Sequence, residues 1–259
     1  MSHKVLLKIG GRAFSDEQGF RELASAIRSS DADFIILHGG GSEISRALKE
    51  ADRPSVFVDG VRVTQKEDMD IVERVLSQTV NKRIADVLSQ NHVPCRRLAG
   101  ADEGLLTAEK IRRRGRDMGY VGEIVNVNPR PVWEAWENHQ VPVVSPISAT
   151  RDGVKLNVNA DTAAAALACG ARCADLVYFS DVPGVLDEKK QLVPCLKIDA
   201  AEFLIRTGII SGGMVAKLES IVNAVKGGVQ RVHITQWQGP ETLRTLFENR
   251  EIEKTTISE

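Results

Sequence analysis

KVLLKIGG (Lys4 to Gly11) and FIILHGGGSEI (Phe34 to Ile44) spell the same arrangement twice: a short apolar run, a cluster of glycines, then a helical pattern. Val5 to Ile9 and Phe34 to Leu37 lack polar alternation, as expected of strands covered on both faces. Helical periods follow at Gly19 to Ser29 and at Ser42 to Ala51. Further along, strand signals at Val141 to Val144, Leu176 to Ser180 and Val232 to Thr235 alternate with helical signals at Asn159 to Cys169 and Met214 to Lys226. Alternation of this kind predicts βαβ units and a mainly parallel sheet, so the class is α/β.

The glycine loops point to an anion. Without side chains, backbone N–H groups approach a ligand closely, and the helix that follows aims its positive dipole end at the same place. In open α/β sheets such loops lie at the carboxyl ends of strands, where ligands bind. Two common nucleotide fingerprints are excluded. No G-x-x-x-x-G-K-[ST] occurs, and Ile44 stands where a dinucleotide loop begun at Gly39 needs glycine. Glycines also serve tight turns, so the charged residues around the loops carry the argument.

Lys8 sits near the end of an otherwise apolar strand, which is costly without a function or an anionic partner. The alternative is a structural lysine that snorkels to water. GIISGGMVAKLES (Gly208 to Ser220) joins glycines to a helix with Lys217 expected in its first turn, where acids are usual, which suggests a nearby anion. NVNAD (Asn157 to Asp161) ends a strand-like run and opens a helix, so Asn159 or Asp161 suits either an N-cap or a ligand role. Asp161 can also hold two lysines in place. FSDVPGVLD (Phe179 to Asp187) offers Asp181, a Pro-Gly turn and open backbone for a nucleotide. In GVRVT (Gly60 to Thr64), the planar fork of Arg62 suits a carboxylate; otherwise it is a surface arginine.

Two segments have bland readings. KIRRRGR (Lys110 to Arg116) lies in a stretch, Leu98 to Val127, read as a β-hairpin excursion, and the run reads as its solvated turn. It is short and has no interleaved aromatics, unlike a nucleic-acid surface. From Lys66 to Gln90, Met69, Val72, Val75, Leu76, Val80, Ile84, Val87 and Leu88 recur at helical spacing. That stripe either lies on the sheet or forms part of a subunit interface.

Composition bounds the remainder. The 259 residues, 42% of them hydrophobic, can bury one large core as a single domain or two lobes. Lys and Arg number 34 against 35 Asp and Glu, so no field favours nucleic acid or an anionic membrane. Cys95, Cys169, Cys173 and Cys195 show no metal or disulfide spacing, which fits a reducing compartment. No apolar stretch reaches the roughly 18 residues of a membrane span, and the amino terminus reads as a strand rather than a signal sequence. The expectation is a cytoplasmic protein with small-molecule partners or further copies of itself.

Taken in order, KIGG, HGGG, GVRVT, NVNADTAA, SDVPGVLD and GGMVAK span residues 8 to 217, and this series resembles the amino-acid kinase family. MGYVGEIVNVNP in the middle and VQRVHI near the end extend the likeness. The resemblance implies a three-layer αβα sandwich with an open, mainly parallel, roughly eight-stranded sheet. Residues 1 to 170 would form an amino-acid lobe that also dimerises, and residues 171 to 259 an ATP lobe. It implies phosphorylation of the γ-carboxylate of N-acetyl-L-glutamate by ATP in arginine biosynthesis, with Mg²⁺ held mainly by the ATP phosphates rather than by protein ligands. Lys8 and Lys217 resemble the pair that stabilises the transition state, and Asp161 the acid that positions them. Gly10, Gly11, Gly40 and Gly41 resemble the backbone cradle. Arg62, Asn157 and Asn159 match substrate-gripping positions. Asp181, Val182, Pro183, Gly184, Val185 and Leu186, with Ile209, Ile210, Ser211 and Gly213, resemble the ATP segments.

Some positions depart from the family pattern. Arg12, Ser42, Ala216 and Lys254 replace a small or apolar residue, two prolines and a glycine respectively. Arg12 and Ser42 flank the substrate crevice, which leaves N-succinylglutamate, aminoadipate or a carrier-linked acceptor as alternatives. A non-catalytic amino-acid sensor on the same fold would lack a lysine or Asp161, and all three are present. A nicotinamide dehydrogenase fits worse, given Ile44 and no clear catalytic histidine. Arginine-inhibited hexameric members carry an extra amino-terminal helix; here the first strand starts by Lys4, which implies a homodimer without arginine feedback.

Overall fold

Val5, Leu6, Leu7 and Ile9 are all buried, on both faces of the first strand, which is why this run lacks alternation. The computed structural model describes every residue except Met1, Gly11, Arg12, Ala13, Ser15, Arg114, Ser211 and Asn249. In chain order the elements are β1 (Lys4–Ile9), α1 (Glu17–Arg28), β2 (Asp33–His38), α2 (Gly41–Glu50), β3 (Val56–Val58), β4 (Val61–Val63), α3 (Met69–Glu73), α4 (Asn81–Gln90) and β5 (Cys95–Ala99). Next come β6 (Leu106–Arg113), β7 (Arg116–Val127), α5 (Arg130–Glu137), β8 (Val141–Ser145), β9 (Ile147–Ala149), β10 (Lys155–Val158), α6 (Ala160–Gly170) and β11 (Asp175–Phe179). The chain closes with β12 (Cys195–Lys197), α7 (Ile198–Arg206), α8 (Gly213–Lys226), β13 (Arg231–Thr235), α9 (Thr242–Phe247) and β14 (Lys254–Ser258).

Eight strands form one sheet in the order β12-β14-β13-β11-β1-β2-β8-β5. All neighbours pair in parallel except β13 and β14, which are antiparallel. Because side chains alternate across a strand, the sheet splits the core in two. Leu6, Leu37, Leu176, Tyr178 and Ile234 join the cluster under α6 and α8, while Val5, Leu7, Ile9, Phe34, Ile36 and Phe179 join the one under α1 and α4. Helix α6, ADTAAAALACG, buries five small or apolar positions, Ala163, Ala164, Ala165, Leu167 and Ala168, so its axis comes close to the sheet. The chain leaves β1 toward β2 on one side and places β11 on the other, so the strand order reverses beside β1. Such a switch point opens a crevice at the carboxyl ends of the strands.

The middle of the chain departs from expectation. Leu98 belongs to β5 at the edge of the main sheet, and the excursion begins only at Leu106. There β6 and β7 do form an antiparallel hairpin, with Arg113 opposite Arg116 at its tip. Rather than standing alone, the hairpin closes with β9 and β10 into a four-stranded barrel. Those partners come from far along the chain, so local pattern does not reveal them. The short elements β3, β4, β12, α5, α7, α9 and the antiparallel β14 also went without an expectation.

The Lys66–Gln90 helix is continuous but not uniform: a 3₁₀ turn (Lys66–Asp68), α3, a π-helical segment (Arg74–Val80) and α4 follow one another. All eight residues of its apolar stripe are buried in this chain's own core. The stripe therefore lies on the sheet. Leu7 is fully buried at the centre of that core. Leu7→Ala is expected to cost about 2–5 kcal/mol, read as a lower urea midpoint at unchanged m-value.

Candidate active site

Alternation along β1 turns Lys8 to the same face as Leu6, and the parallel register sets it beside Tyr178 of β11. Asn159 caps α6, its Oδ1 accepting from the Asp161 N–H at 2.8 Å and the Thr162 N–H at 3.3 Å, which fixes Asp161 in the first turn. Asn159 is thus the cap, and Asp161 is free for the lysines. Lys217 lies on α8, one turn further in than expected, because the helix already begins at Gly213.

These elements bring Lys8 Nζ within 2.6 Å of Asp161 Oδ1 and Lys217 Nζ within 3.0 Å of Oδ2. The Lys217 contact is a directed hydrogen bond. The Lys8 contact is close but off the hydrogen-bonding direction, leaving Oδ1 without such a bond among the described residues, so Lys8 is held mainly by charge. All three side chains are nearly buried, at 10%, 16% and 11% exposure for Lys8, Asp161 and Lys217. The Lys217 ammonium stands 4.7 Å over the Tyr178 ring, whose hydroxyl donates to the Asp161 carbonyl oxygen at 2.9 Å.

Burial works against ionisation of Asp161, yet the charges of both lysines, with the hydrogen bond from Lys217, outweigh it and hold the carboxyl at about 2. For Lys217, burial and the neighbouring Lys8 charge outweigh the pull of Asp161 and lower its pKa. Two cations share one anion. The cluster therefore keeps a buried surplus of one positive charge, an arrangement that favours an incoming anion.

The glycines around it are set by space. A Cβ on Gly10 would meet Lys8 Nζ at 2.4 Å, so the ammonium folds back over that residue only because it is glycine. On Gly40, a Cβ would meet Leu76 Cδ2 at 2.7 Å, where the π-helical segment packs beneath the loop. Gly41 opens α2. Gly11, with Arg12, lies outside the described residues.

A cavity of about 230 Å³ runs between these groups, lined by Lys8, Asp161, Gly10, the Gly39–Gly41 loop, Arg62, Asn157 and Asn159. It lies below the ~300–1,000 Å³ of drug-sized pockets, a size for a small ligand. A larger one, about 500 Å³, shares Gly10 and Gly39–Gly41 but contains neither lysine nor Asp161. Arg62 is buried rather than at the surface. Its guanidinium donates to Ser55 Oγ at 2.6 Å, Ser45 Oγ at 2.8 Å and the Gly41 carbonyl at 3.0 Å, and it lies 4.6 Å from the Phe57 ring. Asn157 donates to Thr64 Oγ1 at 3.0 Å.

Asp181 to Leu186 follow β11, near the start of α8. Asp181 lies close enough for its charge to oppose, in small part, the lowering of the Lys217 pKa. Val185 and Ile210 enter the same apolar cluster as Leu218 of α8, and the Val185 N–H donates to Thr255 Oγ1 at 2.8 Å. Leu186 and Ile209 keep exposed side chains. Val182, Pro183 and Gly184 complete the first segment and Gly213 opens α8, while Ser211 lies outside the described residues.

Phe57, Tyr178, Ser45 and Ser55 contribute without having been singled out. For Phe57 a signal existed: Asp59-Gly60 between VFV and VRV, both with positive φ, is the Asp-Gly pair of a tight hairpin. The others depend on contacts between distant segments and leave no local mark.

A parallel sheet with glycine loops at its strand ends and a lysine-aspartate-lysine cluster at its switch point defines a recurrent class. Residues 3–236 match the profile of the amino acid kinase family, and the chain belongs to that family. Acetylglutamate kinase of Geobacillus sp. (strain WCH70) is 36% identical over 258 residues, covering 99% of this chain and 97% of the relative. Acetylglutamate kinase of Chloroflexus aurantiacus (strain ATCC 29366) is 38% identical, covering 95% and 97%. Among solved structures, smu.665 of Streptococcus mutans UA159 superposes with a TM-score of 0.83 at 28% identity, covering 100% of this chain and 99% of that one.

The depressed carboxyl has a consequence for stability. Because the Asp161 pKa falls from 3.8 to about 2 on folding, its contribution is complete above about pH 4 and lost as pH falls through 2. Wild type should lose about 2 kcal/mol more than Asp161→Asn across that window. Urea unfolding of both proteins at several pH values reads the difference, and a difference constant with pH would reject the assignment.

Proposed function

We propose that the chain transfers the γ-phosphoryl group of ATP to the γ-carboxylate of N-acetyl-L-glutamate, giving N-acetyl-L-glutamyl 5-phosphate, a step of arginine biosynthesis. The carrying observation is the Lys8–Asp161–Lys217 cluster, with its surplus positive charge, beside two glycine loops and a small cavity. The choice of acceptor is supported by relatives of matching length named acetylglutamate kinase.

A carboxylate acceptor is already ionised at neutral pH, so the reaction needs no general base. Positioning and charge neutralisation are the work left to the protein. In this reading the acceptor occupies the cavity lined by Arg62, Asn157 and Asn159, with residues 1–170 as its lobe. The nucleotide lies over Asp181–Leu186 and 209–213, in the lobe of residues 171–259, where exposed Leu186 and Ile209 offer apolar surface for a base. Lys8 and Lys217 would face the transferred group from its two sides, Asp161 holding both ammonium groups in register. Gly10, Gly11, Gly40 and Gly41 would supply backbone N–H donors. Mg²⁺, bound with the nucleotide mainly through its phosphates, would neutralise further phosphate charge.

Lys8→Ala and Lys217→Ala should each lower kcat at least about a hundredfold, the scale of one preorganised donor, with smaller changes in ATP affinity. Steady-state kinetics checks this, and near wild-type turnover in both rejects the mechanism. A hydroxamate assay with MgATP across N-acetylglutamate, N-succinylglutamate, aminoadipate, glutamate and carbamate tests the acceptor. N-acetylglutamate should be preferred, and turnover of unacylated substrates alone would reject the reading.

We also infer a homodimer. Strand β5 leaves one edge of the sheet unpaired, a row of backbone groups suited to a second copy, and the outer side of the Lys66–Gln90 helix adjoins it. Light scattering should give twice the mass of one chain; a monomer or hexamer would refute this. The four cysteines are unpaired, which supports a cytoplasmic setting, and among the described residues no helix is long and apolar enough to cross a membrane.

A further inference from the structure

His38 ends β2 immediately before the glycine loop, and its imidazole is buried. Nδ1 lies 2.8 Å from the Gly39 carbonyl oxygen, which can only accept, so Nδ1 carries the proton. Nε2 then accepts from Asn81 Nδ2 at 3.2 Å. Asn81 is held in that orientation from both ends. Its amide nitrogen also donates to the Val143 carbonyl at 2.8 Å, and its oxygen accepts from Arg97 Nε at 3.1 Å. Arg97 in turn donates to the Ser77 carbonyl at 2.9 Å, inside the π-helical segment. Burial lowers the imidazole pKa to about 4, against opposing effects of the Gly39 carbonyl and Glu43, so the ring is neutral near pH 7.

The consequence falls on the next peptide. The Gly39 N–H donates to the Ile9 carbonyl at 2.9 Å, and the Gly39 carbonyl is held by His38. In a planar trans peptide the N–H points opposite to the C=O. Holding the Gly39 oxygen toward the imidazole therefore turns the Gly40 N–H away from it, and Gly40 lines the cavity that holds Lys8, Arg62 and Asp161. Leu76 and Val80 pack against Gly40 where a side chain would otherwise stand.

We propose that His38 is a positioning residue for phosphoryl transfer: as the Nδ1–H tautomer set by Asn81, it fixes the Gly39–Gly40 peptide so that the Gly40 N–H faces the group in transit. The proposal rests on the phosphotransfer reading above, and it assigns the π-helical segment and Arg97 a part in shaping the loop.

Two substitutions separate the tautomer from packing. The amide of His38→Asn reaches the place of Nδ1 and keeps a donor for Gly39, whereas that of His38→Gln reaches only the place of Nε2. His38→Gln should lower kcat about 10- to 100-fold, with acceptor and ATP KM values changed less than about threefold, while His38→Asn stays within about fivefold of wild type. Unchanged kcat in His38→Gln, or equal losses in both variants that follow thermal stability, would overturn the proposal. Wild type inactive toward every acceptor would instead reject the functional reading. ¹⁵N NMR of the wild-type protein then tests His38 alone. The expected result is a proton on Nδ1 and a Gly40 amide signal that moves on adding Mg²⁺ with a non-hydrolysable ATP analogue, the movement being lost in His38→Gln. A proton on Nε2, or an unmoved Gly40 signal, overturns the assignment.

Discussion

Asp161 shared between Lys8 and Lys217 is the interaction on which the rest of the structure depends. A buried carboxylate with no partner would be severely destabilising, and so would two buried ammonium groups. Meeting both conditions requires β1, α6 and α8 to converge at fixed depth and rotation. Each element contributes to that convergence: the alternation of β1 turns Lys8 inward, the Asn159 cap sets the first turn of α6, and the small side chains of α6 let it approach the sheet. The Tyr178 ring under Lys217 fills the remaining side.

The opposite end of the same strands shows what full compensation looks like. Asp175, at the start of β11, accepts from His3 at 2.5 Å, from Arg231 at 2.8 and 3.0 Å and from His233 at 3.1 Å. Burial opposes its ionisation, but these bonds win and hold the carboxyl well below the usual range. That cluster pins β1, β11 and β13 together at their amino-terminal ends. At the carboxyl ends the balance is deliberately incomplete, with more cation than anion. The sheet is thus anchored at one end and poised for an anion at the other.

The crevice is further shaped by packing. Arg62 ties the β3–β4 hairpin to the Gly41 carbonyl and to α2, so the hairpin that walls the small cavity is bonded directly to the loop that opens α2. Beneath the loop, the π-helical segment brings Leu76 and Val80 against Gly40. A single extra carbon at Gly10 or Gly40 would collide with Lys8 or Leu76, which explains glycine at both better than backbone conformation does.

The α/β class and the βαβ order were legible in the sequence, because buried parallel strands and glycine turns leave strong local patterns, whereas Lys8, Asp161, Lys217, Gly10 and Gly40 stood out one by one only as ambiguous candidates and were joined by the family resemblance. Asn159 and Asp161 illustrate the limit: spacing allowed either to cap α6, and only the folded geometry assigned the cap to one and the lysines to the other. Arg62 read equally as a surface residue, until β3 and β4 folded over α2 and buried it. The closure of the β6–β7 hairpin with β9 and β10 into a small barrel, the antiparallel β14, the π-helical segment and the His38–Asn81–Arg97 chain had no local signal. Sequence by itself determined which segments become strands and helices and which residues have the chemistry for an anion. Tertiary structure decided which of those residues meet, because ion pairs and hydrogen bonds act over a few ångströms between groups that the chain separates by tens to hundreds of residues.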